Sequence, residues 1–253
     1  MRRAAALLLA APLLSGQAKP VLVPDVSQRA IDIAYSFTGA ELLLFGAILY
    51  PGGRVPAGER PADIVVVVRG PTQSILLREK QKVAGIWVNA EHARYRSAPS
   101  FYAVASSRPV EAIVDDRTRA IYELGVHSLQ LSPTSNALPE VQARFGRGLV
   151  DLKERAGLYV EDPRAVQVTD GVLYRARVGI PARVPVGRFT AETFLIRDGR
   201  VLAAAVRDID IRKSGFERFV ARAAERSEVL YGLVAVALSV GLGWLAGWIA
   251  RRL

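Results

Sequence analysis

Residues 189–206 read FTAETFLIRDGRVLAAAV. Asp198 and Gly199 separate a pair of apolar runs, and an Asp-Gly dipeptide in that position is a strong signal for a two-residue β-hairpin. Upstream, Tyr174, Ala176, Val178 and Ile180 alternate with Arg175 and Arg177. That period of two belongs to a half-buried strand. Nearer the start, Ile31, Ile33, Tyr35 and Phe37 share one face opposite Asp32, Ala34 and Ser36. Further strands are predicted over 41–49, 63–69 (DIVVVVR), 74–78, 84–88 and 101–105, separated by turns rich in Gly, Pro and Ser. Trp87, inside one of these runs, is expected to fill a core.

From Pro139 to Ala156 the period changes. Val141, Phe145, Leu149, Leu152 and Ala156 recur three or four apart, Pro139 suits a first helical turn, and Gly157 suits the position just past the end. The expected fold is therefore mainly β: two Ig-like antiparallel β-sandwich halves joined by a surface helix, plus one long C-terminal transmembrane helix. The segments are a signal peptide (1–18), a first β-sandwich domain (19–116), and a linker (117–158) that carries the helix 139–156. A second β-rich domain (159–213), a juxtamembrane amphipathic helix (214–228), a transmembrane helix (229–250) and a short cytoplasmic tail (251–253) follow.

The two ends carry the topology. Arg2 and Arg3 precede an apolar run from Ala4 to Leu14, and small residues at Gly16 and Ala18 place a signal cleavage after Ala18. Residues 229–250 hold no charged side chain. As a helix they would measure about 33 Å, enough for a hydrocarbon layer of about 30 Å. Tyr231 at one end and Trp244 and Trp248 near the other suit the two headgroup levels. Ser214 with Glu217 forms a capping box, so a helix is expected to start there and run into the span. Inside the span, Ser239, Gly243 and Gly247 recur every fourth residue. Such a small-residue face lets another helix pack closely, a second copy of the chain or a polytopic protein.

These features predict a single-pass bacterial inner-membrane protein with its bulk in the periplasm. Arg212, Lys213, Arg218, Arg222 and Arg226 before the span favour the alternative, a tail-anchored chain with its bulk in the cytoplasm.

The chain carries 34 Lys and Arg against 24 Asp and Glu, a formal charge of +10, and no cysteine. Thiol nucleophiles, disulfides and thiolate metal sites are thereby excluded. The basic excess suits anionic lipid, and no DNA-reading motif accompanies it, so no nucleic-acid partner is expected. His92 neighbours Glu91 and could serve as a base for Ser97 or Ser100, but a lone loop histidine beside a glutamate is ordinarily solvated. His127 reads as a structural residue. Asp208 and Asp210 fall on one strand face and, like Asp115 and Asp116, read as solvated carboxylates. Residues 51–58 lack the lysine and following helix of a phosphate loop. No catalytic residue, metal ligand or cofactor is assigned.

The blocks FTGAELLLFGA, VVVVRGP, REKQKVAGIWVN, FYAVASSRP and IPARVPVGRFTAETFLIRDG, followed by one C-terminal apolar run, resemble a family of uncharacterised alphaproteobacterial transmembrane proteins. The resemblance implies a signal peptide, an exported domain and a single anchor. It also implies a transporter neighbour, since such genes often lie beside sulfite-exporter-like permeases. The expected role is an accessory, partner-binding membrane protein without enzymatic activity. The alternatives are a membrane-tethered periplasmic enzyme, or an envelope structural or lipid-binding module marked by a groove or an exposed apolar patch.

Overall fold

The computed structural model describes residues 19–33, 38–56, 58–134, 138–213 and 228–250. The signal-cleavage position Ala18, the capping box Ser214 and Glu217, the juxtamembrane segment and the end of the 31–37 strand lie outside them.

Thirteen strands and three α-helices are described. The strands are β1 (Val21–Val26), β2 (Ala30–Ile33), β3 (Gly39–Leu49), β4 (Asp63–Arg69), β5 (Thr72–Val83), β6 (Ile86–Pro99) and β7 (Tyr102–Ser106), then β8 (Ser132–Pro133), β9 (Tyr159–Pro163), β10 (Val166–Thr169), β11 (Leu173–Pro181), β12 (Gly187–Arg197) and β13 (Arg200–Lys213). The helices are α1 (Asp116–Tyr122), α2 (Pro139–Arg155) and α3 (Glu228–Ala250). The β12–β13 hairpin turns at Asp198 and Gly199, with φ of 48° and 75°. The left-handed pair is what a type I′ turn demands.

Three sheets result. The first runs β1-β3-β11-β10, the second β2-β13-β12-β4-β7-β9, and the third β5-β6-β8. The expectation of two separate sandwich halves is corrected here, because strands from 19–116 and from 159–213 share both large sheets. β3 pairs with β11, and β4 with β12. Neither half could bury its apolar stripes alone. Leu42, Leu44 and Ile48 need Ala176, Val178 and Ile180 beside them to complete one wall of the core. The sheets are not purely antiparallel either, since β2 runs parallel to β13 and β7 parallel to β9.

β4 explains its own sequence. Ile64, Val66 and Val68 face the core between the two large sheets. Val65 and Val67 face a second cluster with Tyr102, Val104, Leu124, Tyr159 and Phe194. A strand buried on both faces shows a continuous apolar run instead of alternation. α2 forms where its periodicity predicts and buries Phe145, Leu149 and Val150, while Leu152 of the expected stripe is exposed. α1, which starts at the boundary between the expected first domain and linker, is capped by Asp115, whose side chain accepts from the Thr118 N–H at 2.8 Å.

Candidate functional site: a projecting hairpin

β5 and β6 are 12 and 14 residues long, about twice an ordinary strand. The predicted strands 74–78 and 84–88 both belong to this one hairpin, and Ala84 and Gly85, at φ of 49° and 85°, form its turn. Its base is rooted. Ala93, Tyr95 and Ala98 pack on Phe145 and Leu149 of α2, with Ile75, Leu77 and Val141 around them. The Tyr95 hydroxyl donates to the Gln142 carbonyl at 3.4 Å, and β8 pairs with β6 at Tyr95 and Ser97.

Beyond the base the ladder continues with its side chains in solvent. On the side of α2, Glu79 stands opposite Glu91, and Arg144 of α2 pairs with both carboxylates, at 3.1 Å from Glu79. On the other side the cross-strand pairs run Leu76–Arg94, Arg78–His92, Lys80–Asn89 and Lys82–Trp87. That face carries cations and no carboxylate. Leu76, Arg78, His92, Arg94 and Thr134 outline a shallow depression of about 380 Å³ on it. The tip is apolar: Val83 is 54% exposed, Ile86 68% and Trp87 66%. Trp87 therefore does not fill a core. The hairpin carries it clear of the domain, and no local signal in AGIWVN distinguishes that position from a buried one.

His92 lies five residues from Ser97 and eight from Ser100, about 16 Å and 25 Å along extended chain. The His–Ser pairing conceivable from sequence is not assembled. Ser100 is buried at the hairpin base instead. His127 is exposed at the mouth of a groove of about 690 Å³ that also involves Tyr95, Leu131, Gln142 and Arg147. Asp210 pairs with Arg188 and Arg212, and Asp116 pairs with Arg119 at 2.7 Å. Among the described residues, no cluster of three or more His, Asp or Glu has a metal-binding arrangement.

Sequence reasoning missed a polar network beside α1. Arg69 lies 3.2 Å from Glu123 and 3.6 Å from Glu192 and donates to the Tyr122 carbonyl. Tyr102 donates to the Glu123 carbonyl and accepts from the Gly125 N–H. Burial pushes the Tyr102 phenol well above its ordinary value. The network ties α1 to β4, β7 and β12. Its members are scattered from 69 to 192, and no spacing in the chain links them.

α3 places Ser239, Gly243 and Gly247 along one helix, with the Ser239 hydroxyl donating to the Ala235 carbonyl at 2.9 Å. A Cβ built at Gly243 would meet nothing within 4 Å. Among the described residues, no helix is long and apolar enough to cross a membrane, so the expected C-terminal transmembrane helix is not supported there.

Exposed apolar side chains sit on the projecting hairpin tip and along α3, and also elsewhere on the surface, at Leu138, Ile121 and Leu173 among others. The chain belongs to the alphaproteobacterial family described as "Putative transmembrane protein", whose model matches residues 21–252. No curated protein matches it. Among solved structures, the sporulation control protein Spo0M from Bacillus subtilis aligns at 10% identity and a TM-score of 0.29. That alignment covers 83% of this chain and 56% of Spo0M, and likeness at that level carries no argument.

Proposed function

We propose that the protein is a single-span, membrane-anchored accessory module whose recognition element is the β5–β6 hairpin and whose role is non-enzymatic. The observation that carries the reading is α3. Its described apolar side chains Leu233, Val236, Leu238, Val240, Leu242 and Trp244 point around the helix, and all are more than 60% exposed. A helix that is apolar on every side is stable in a protein core or in lipid, not in water. Among the described residues, none covers these side chains, and residues 229–250 are free of charge. Lipid supplies the missing environment. In this reading residues 1–18 are a signal peptide, the β-sheet bulk lies on the periplasmic side, and Ser239, Gly243 and Gly247 offer a face for a second copy or for a membrane-protein partner such as a transporter.

Two measurements test the anchor and its direction. After alkaline carbonate extraction the full-length protein stays in the membrane pellet, and release into the supernatant would defeat the proposal. An alkaline phosphatase reporter fused after Lys213 is active if the bulk is exported. An inactive fusion would reverse the orientation and leave the tail-anchored arrangement.

A further inference from the structure

We infer that the cationic face and tip of the β5–β6 hairpin bind the anionic phospholipid surface of the membrane that carries the span. The inference rests on the anchored reading above and names what its recognition element touches.

Four observations support it. First, the hairpin reaches out: from Leu77–Ala93, the last ladder pair packed in the cluster at its base, to Val83–Ile86 is six residues, about 20 Å of extended ribbon. Second, its end has the chemistry of an interface. Val83 and Ile86 are exposed apolar side chains at the turn, and Trp87 stands one step behind them beside Lys82. Tryptophan favours the headgroup level with its ring toward the acyl chains, and lysine reaches back to phosphate on a flexible stem. Third, charge is sorted between the two faces. Residues 80–90 contain no carboxylate. The nearest ones, Glu79 and Glu91, are turned to the other side and paired with Arg144. Arg78, Lys80, Lys82 and Arg94 are left on one face, as an anionic surface requires. Fourth, β8 supports only the base, and a two-stranded ribbon in water is marginal by itself. A bilayer surface would cover what the domain leaves open, and a membrane anchor on the same chain holds that surface at high effective concentration.

The test uses the full-length chain in vesicles. The protein has three tryptophans; replacing Trp244 and Trp248 by Phe leaves Trp87 as the reporter. In vesicles containing phosphatidylglycerol, Trp87 emission is expected to shift to the blue and to be quenched by brominated acyl chains. In phosphatidylcholine alone, or at high salt, both effects should be lost. Lys80→Gln and Lys82→Gln should each lower the bound fraction relative to the free fraction about fivefold, and together roughly 25-fold. Both variants alter exposed side chains and should leave carbonate resistance unchanged. A protein that resists carbonate extraction but keeps a water-like Trp87 in both vesicle types would overturn the lipid inference while leaving the anchor intact. A response to a soluble oligonucleotide or to a co-purifying protein, with none to vesicles, would overturn it equally. Loss of carbonate resistance would strike the anchor itself.

Discussion

Tyr174 closes over Gly46. The two are directly opposite in the β3–β11 ladder, and a Cβ at position 46 would stand 2.7 Å from the phenol oxygen, 2.8 Å from its ring carbon and 2.5 Å from the Val23 carbonyl oxygen on β1. Three strands meet at a point with no room for a methyl group. Gly46→Ala should therefore force a backbone or ring shift and cost about 1–3 kcal/mol, as overpacking does. The check is the urea midpoint of the full-length protein in detergent, which should fall with an unchanged slope. An unaffected midpoint would mean that the first sheet relaxes around the methyl at no cost.

Arg144 holds the hairpin against α2 by pairing with two carboxylates that face each other. The charges are near half-exposed, so the pairs contribute only about 0–1 kcal/mol to global stability. Their removal should act locally, because Glu79 and Glu91 would then repel across the ladder. Arg144→Met is expected to speed amide exchange over 78–92 while barely moving the global midpoint. Adding Glu79→Gln and Glu91→Gln should restore protection.

Ala84 occupies a left-handed turn position at φ 49°, where a residue with a Cβ is disfavoured and asparagine is tolerated far better. Ala84→Asn should raise the free energy of local hairpin opening by up to about 1–2 kcal/mol. Exchange protection flanking the turn reads this out directly. A faster-exchanging variant would contradict the type I′ geometry.

The buried phenols set an alkaline limit. Burial raises the proton affinity of Tyr102, Tyr159 and Tyr174 above the ordinary value near 10. Between that value and the higher folded one, the folded protein holds more protons than the unfolded chain. Stability is therefore full below about pH 10 and falls as pH rises beyond it. The urea midpoint should drop above pH ~10, with phenolate absorbance from these residues appearing only on unfolding. Tyr159, which donates to the Pro99 carbonyl at 2.8 Å, provides the control: Tyr159→Phe should make the pH slope shallower.

Local chemistry made several elements legible. The Asp198–Gly199 turn, the alternation of β11 and the run of β4 each follow from residues within one segment and are placed where those residues predict, and α2 forms as a helix over the expected span with Leu152 turned out of its buried face. The β5–β6 hairpin was not legible in the same way. Beyond Glu79 both of its faces meet solvent, so its side chains obey no burial period, and Trp87 resembles a core residue by its type alone. The Arg69 network was equally hidden, since its carboxylates come from α1's C-terminal end and from β12.

By itself, the order of residues determined several places where the backbone changes direction, many of the strands, the α2 helix, and that 229–250 carries no charged side chain. Those properties depend on side-chain shape and transfer energy over a few neighbours. Tertiary structure alone decided that the N- and C-terminal strands would interleave into two common sheets and that one hairpin would be left outside them. Pairing over such separations is settled by which apolar faces can cover each other, a comparison among distant segments that no single stretch of the chain contains.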